Sequence, residues 1–144
     1  MKKVLCFGTF DHFHPGHEYV LKEASRYGDR LTVLVSLDTT VEKAKGIRPD
    51  HDERQRVERI GALPYVDEAI LGNATNYYAV LDQVHPDLIC LGYDQGFLTD
   101  RLQEELDRRG MNTEIVRLQA YRPEKYKSSL VRAERRRDSG YSSS

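Results

Sequence analysis

Apolar residues gather in short dense runs at 3–7, 31–35, 69–71 and 88–91, with a fifth strand predicted over 113–118, and the first, third and fourth runs end at Gly8, Gly72 and Gly92. Runs of this length without apolar–polar alternation predict strands buried on both faces. Between them the period lengthens. Tyr19, Val20, Leu21 and Ala24 share one side of a predicted helix over 18–27, with Gly28 just past its end. A second helix is predicted over 52–63, capped by Asp50 or Asp52, and others over 77–84 and over 98–109, the latter stopped by Gly110. Residues 36–49 predict a loop with room for a helical turn. Residues 128–136 predict a basic closing helix, and the serine-rich 138–144 a disordered tail behind a domain over 1–137. Strands alternating with helices predict right-handed crossovers and a parallel sheet of about five strands, with helices on both faces. That is an α/β, Rossmann-like single domain. Ligands of such sheets bind beyond the carboxyl ends of the strands, where strand order reverses, so Gly8 and Gly92 fall at the expected place.

Composition narrows the picture. Lysine plus arginine (22) nearly cancels aspartate plus glutamate (23), which gives no support to a general nucleic-acid binder. Cys6 and Cys90 sit inside apolar runs and read as buried free thiols on strands. No segment approaches the roughly 20 apolar residues of a membrane-spanning helix. The expectation is a soluble cytoplasmic protein with no membrane partner.

The candidate chemistry lies in Gly8-Thr9-Phe10-Asp11-His12-Phe13-His14-Pro15-Gly16-His17, between a strand end and a helix start. A strand-end glycine lets backbone approach a phosphate, and a helix N-terminus offers N–H groups and partial positive charge. His14 and His17 can donate hydrogen bonds to phosphate oxygens, and Gly16 leaves no side chain in the way. Against this stands the reading that His12, His14 and His17 are ordinary loop residues. A zinc site on the two histidines three apart lacks a third ligand at typical spacing. Asp11 either holds the loop by accepting N–H bonds or helps hold a metal.

Gly-Thr-Phe-Asp followed by His-x-Gly-His resembles the signature of the cytidylyltransferase-like nucleotidyltransferase superfamily, whose fold is a HUP-type Rossmann-like domain. The resemblance implies nucleotide binding by Thr9, Phe10, His14, Pro15, Gly16 and His17. Arg54 in His51-Asp52-Glu53-Arg54 resembles the arginine those enzymes place near the nucleotide. Gly92-Tyr93-Asp94-Gln95 resembles their turn after strand four, which implies that Asp94 contacts ribose or base; alternatively, it caps the turn. The segment 122–132 resembles their late hydroxyl motif, with Ser128 or Ser129 on phosphate. Tyr121 either stacks beside the nucleotide or covers the sheet edge.

Within the superfamily, Thr40-Val41-Glu42-Lys43 with Lys45-Gly46, Ile70-Leu71-Gly72 and Leu91-Gly92-Tyr93-Asp94-Gln95 are similar to strings of the archaeal FAD synthases. That likeness implies AMP transfer from ATP to FMN with release of pyrophosphate, a divalent cation (Mg2+) and a homodimer paired at a sheet edge as one open state. Glycerol-3-phosphate cytidylyltransferases and other sugar- or polyol-phosphate enzymes form the alternative, and a non-catalytic nucleotide sensor a third. In the implied mechanism the acceptor phosphate attacks the α-phosphorus in line, with no general base. His14 and His17 stabilise charge, and Lys43 (or Lys45) and Arg54 clamp anionic oxygens. Tyr77, Tyr78, Tyr93, Phe97 and Tyr126 are candidate aromatic surface for a flavin ring.

Overall fold

The computed structural model describes residues 1–91 and 101–118. Five strands, β1 (Lys3–Gly8), β2 (Arg30–Val35), β3 (Glu68–Leu71), β4 (Leu88–Leu91) and β5 (Glu114–Arg117), form one sheet in the order β3-β2-β1-β4-β5, and every neighbouring pair is parallel. The helices are α1 (Pro15–Ser25), α2 (Asp38–Lys45), α3 (Glu53–Gly61), α4 (Val80–Val84, entered through a 3-10 turn at Tyr77–Ala79) and α5 (Leu102–Arg108).

Both faces of the sheet are covered, which is why β4 is apolar at every position and β1 and β2 nearly so after their first residues. Val4 and Cys6 of β1 point into a core with Val20, Leu21 and Ala24 of α1 and Ile60 of α3. Leu5 and Phe7 point the other way, into a core with Val80 and Leu81 of α4 and Leu102 and Leu106 of α5. Cys6 pairs with Cys90 across β1 and β4, and both are free, buried thiols. Burial pushes the Cys6 thiol up to about 12 and Cys90 well above its ordinary value.

Two local features depart from the expectation from patterning, and one open choice is decided. α1 starts at Pro15, three residues earlier than residue 18, because His14 caps it and proline suits the first helical position. Residues 38–45 form a real helix, α2, closed by Gly46 at φ 80°. Its only buried residue is Val41, so no apolar period announced it. Asp52, one of the two caps expected, caps α3 through a reciprocal box with Gln55. The predicted 128–136 helix and the 138–144 tail lie outside the described residues.

From β1 the chain winds through β2 to β3 on one side, then crosses to β4 and β5 on the other. Strand order therefore reverses between β1 and β4, and β1 ends there at Gly8.

Candidate active site

The loop after β1 passes through two left-handed residues, Phe10 (φ 57°) and His12 (φ 53°). Phe10 folds back and is buried, with its ring over Gly8. A Cβ on Gly8 would stand 2.4 Å from Phe10 Cζ. The space that glycine leaves at the strand end is thus occupied by this chain's own aromatic ring, rather than being open for a phosphate as the sequence suggested.

His14 caps α1 with extended backbone, and its Nδ1 accepts a 3.0 Å hydrogen bond from the Gly16 N–H. An accepting Nδ1 carries a lone pair, so the neutral ring bears its proton on Nε2, the tautomer required to donate to an anion. The His17 ring stacks on it at 3.8 Å between centroids, tilted by 23°. Phe10 meets His17 edge-on at 5.4 Å, and Phe13 lies 5.7 Å away. These aromatic contacts fix the second histidine beside the first. Pro15 has no N–H and that of Gly16 is engaged by His14, so the helix terminus alone offers less to an anion than the sequence implied.

Sequence reasoning passed over the residue that holds this loop in place. Arg56 is 2% exposed. Its guanidinium donates to the carbonyls of Thr9 (2.9 Å), Ser36 (2.8 Å) and His51 (2.9 Å) and to Asp38 Oδ1 (2.6 Å). One side chain therefore ties together the loop after β1, the end of β2, the start of α2 and the loop before α3. The available signal was its spacing: Arg56 lies four residues before buried Ile60, on the inward face of α3. Arg54, the expected anion clamp, is exposed on the same helix, and Lys43 and Lys45 are exposed in the last turn of α2. Asp94, Tyr121, Ser128 and Ser129, with Tyr93, Phe97 and Tyr126, lie outside the described residues. Tyr77 packs its ring on Phe7 at 5.6 Å and on Tyr78 at 5.5 Å, as part of the second core.

Asp11 accepts from the N–H groups of Asp50 (2.8 Å) and His51 (3.0 Å), and is 3.0 Å from His51 Nδ1. Partial burial works to raise its carboxyl. The two backbone hydrogen bonds, the His51 ring and the charge of nearby His12 outweigh this and hold it below the ordinary range. His12 Nε2 lies 2.6 Å from Asp50 Oδ2, and that hydrogen bond holds the imidazole above its usual value. A cleft of about 400 Å3 opens beside this loop, lined by Phe10, His12, Phe13, His51, Gln55, Arg56 and Arg59. Among the described residues, no helix is long and apolar enough to cross a membrane.

Known proteins share both sequence and fold with this chain. It is 47% identical to the FAD synthase of Methanohalophilus mahii over 82% of each protein. It is 45% identical to that of Archaeoglobus profundus over 90% of this chain and 82% of the relative. A crystal structure described as the lipopolysaccharide core biosynthesis protein of Thermoplasma volcanium superposes with a TM-score of 0.79, at 39% identity over 85% of this chain and 99% of that one. A protein of unknown function from Archaeoglobus fulgidus, 20% identical, shares the fold with a TM-score of 0.65. The cytidylyltransferase-like family model matches residues 5–134, from within β1 to beyond β5 and across the stacked His14–His17 pair. The chain belongs to the cytidylyltransferase-like family and is a nucleotidyltransferase enzyme.

Proposed function

We propose that this protein is an FMN adenylyltransferase: it transfers AMP from ATP to the phosphate of FMN, giving FAD and pyrophosphate. The observation that carries the reading is the identity of 42–47% to FAD synthases over most of the chain, joined to an intact, geometrically prepared His14–His17 pair.

The chemistry asks little of the protein beyond placement. A phosphate monoester is already an anionic nucleophile, so the task is to bring two anions together in line and offset their repulsion. His14 Nε2–H and the His17 ring stabilise charge on the triphosphate. Arg56 holds the Thr9 carbonyl, and with it the loop, at the carboxyl edge of β1. Lys43 or Lys45, Arg54, Asp94, Tyr121 and Ser128 or Ser129 are proposed as further nucleotide contacts, by their resemblance to the family motif.

The reaction takes a divalent cation, for which we propose Mg2+. It is a hard ion that keeps water and phosphate oxygens as ligands and needs few from protein. The site fits an ion carried by the nucleotide, because the paired rings of His14 and His17 are nitrogen donors poorly matched to so hard an ion. When bound, the ion offsets charge on the phosphates. We place the enzyme in the cytoplasm, in keeping with its two reduced, buried cysteines.

A second reading has one specific support. The solved relative at 39% identity is described as a lipopolysaccharide core biosynthesis protein, which favours a sugar-phosphate acceptor. FMN fluorescence separates the two. Quenching is expected when FMN is mixed with the protein and a non-hydrolysable ATP analogue. Unchanged fluorescence at a large protein excess would turn the assignment towards the sugar phosphate.

A further inference from the structure

Beside the His14–His17 pair, and separate from it, stands a second group of metal-ligating side chains. Asp11, His12 and His51 each present one donor atom, and the three donors lie within 4.8 Å of one another. They come from two segments about forty residues apart, the loop after β1 and the loop before α3. The His12 and His51 rings meet edge-on with centroids 4.8 Å apart. Each imidazole shares a proton with a carboxylate: His51 Nδ1 with Asp11 Oδ1 at 3.0 Å, and His12 Nε2 with Asp50 Oδ2 at 2.6 Å.

We infer that Asp11, His12 and His51 bind a first-row transition cation of the zinc class, with the Asp50 carboxylate at hand as a fourth donor. Four arguments converge on this site. The donor set is two imidazoles and a carboxylate, which selects Zn2+ and its neighbours over the hard Mg2+. The charge closes, since one dication balances the carboxylates of Asp11 and Asp50. The distances are close to a ligating set: a tetrahedral ion with bonds of about 2.0–2.1 Å needs donors about 3.4 Å apart. The His12 and His51 side chains, 62% and 46% accessible, can rotate to close that gap. Finally, an entry path exists, because both histidines line the 400 Å3 cleft.

In binding, the ion takes the place of the protons shared within the two His–carboxylate pairs, and those protons pass to solvent. The bound ion would tie the loop that carries His14 and His17 to the loop that opens α3, adding to the tie that Arg56 makes between them. This site is distinct from the cation that accompanies a triphosphate: its ligands are nitrogens as well as oxygens, and it needs no nucleotide. In the sequence, the two histidines three apart have no third ligand at typical spacing. The fold supplies a different pair.

The test is equilibrium dialysis of the nucleotide-free full chain against ZnCl2 in millimolar MgCl2. One equivalent of zinc is expected, with a dissociation constant in the micromolar range or tighter. His51→Gln and His12→Asn should each weaken it at least tenfold. Asparagine suits the left-handed backbone of residue 12 (φ 53°), so that variant should fold, and circular dichroism checks both. His14→Asn should bind zinc like the parent. The inference is overturned if the parent takes up no zinc below about 100 µM. It is overturned equally if folded His51→Gln and His12→Asn bind as the parent does, or if His14→Asn is the variant that loses the ion. Because dialysis contains no substrate, the outcome is independent of the adenylyl-transfer reading.

Discussion

Replacing Arg56 with methionine probes the structural basis of the site most sharply. The substitution keeps an unbranched side chain of good helix propensity and deletes only the guanidinium. Three carbonyls (Thr9, Ser36 and His51) and the Asp38 carboxylate then lose a donor in a place where Arg56 itself is 2% exposed. Breaking a buried ion pair by removing one partner costs about 3–5 kcal/mol, and orphaned carbonyls add to that where water cannot reach them. About 4 kcal/mol is a large part of the roughly 5–15 kcal/mol that stabilises an ordinary domain. At roughly 3 °C per kcal/mol for a chain of this size, the melting temperature should fall by about 12 °C. Arg56→Lys keeps the charge but has only three donors on one nitrogen, so it should lose about half as much. Below the melting range, Arg56→Met should also raise KM for the triphosphate, since Thr9 is no longer held. The assay is a thermal melt followed by circular dichroism, with initial rates at a temperature where both proteins are folded. A melting point within about 3 °C of the parent would refute the reasoning.

Other expectations follow from single contacts. His14→Asn retains a good helix cap but not the Nε2 donor, so it should melt like the parent yet lose roughly 10²–10³ in turnover; parental turnover would remove His14 from the chemistry. His17→Ala should lose turnover on the same scale, and steady-state rates of the folded variant decide it. Gly8→Ala drives a Cβ to 2.4 Å from the Phe10 ring and should destabilise by about 1–3 kcal/mol in a denaturant titration; unchanged stability would mean that Phe10 moves aside freely. Burial holds the Cys6 thiol up at about 12, so at pH 8 neither cysteine should react with a thiol reagent until the protein is unfolded. Rapid labelling of the native protein would contradict the buried placement of β1 and β4.

Much of this architecture could be read from the chain because its central strands are almost wholly apolar and glycines or cap residues flank many elements. Residues 3–7 and 88–91 announce strands buried on both faces, and Asp50 and Asp52 mark the start of α3, the structure choosing Asp52 through its box with Gln55. α2 was not legible, since one buried valine carries no period. The histidine motif pointed to the loop but not to its support. Arg56 reads as a surface cation until the partners of its guanidinium are known, and those partners lie up to 47 residues away. The same holds for His51, whose nearness to Asp11 and His12 is made by tertiary structure across about forty residues. The family resemblance reached further than periodicity could. It pointed to the nucleotide side of the site, part of which falls beyond the described residues.

The central claim, that the chain adenylylates FMN, is tested most directly by supplying ATP labelled at the α-phosphate together with FMN and Mg2+ and separating the products. The account predicts labelled FAD and pyrophosphate in equal amounts, abolished when FMN is omitted and reduced roughly 10²–10³-fold in His17→Ala. Absence of labelled FAD, with conversion of glycerol-3-phosphate when CTP is supplied, would contradict it.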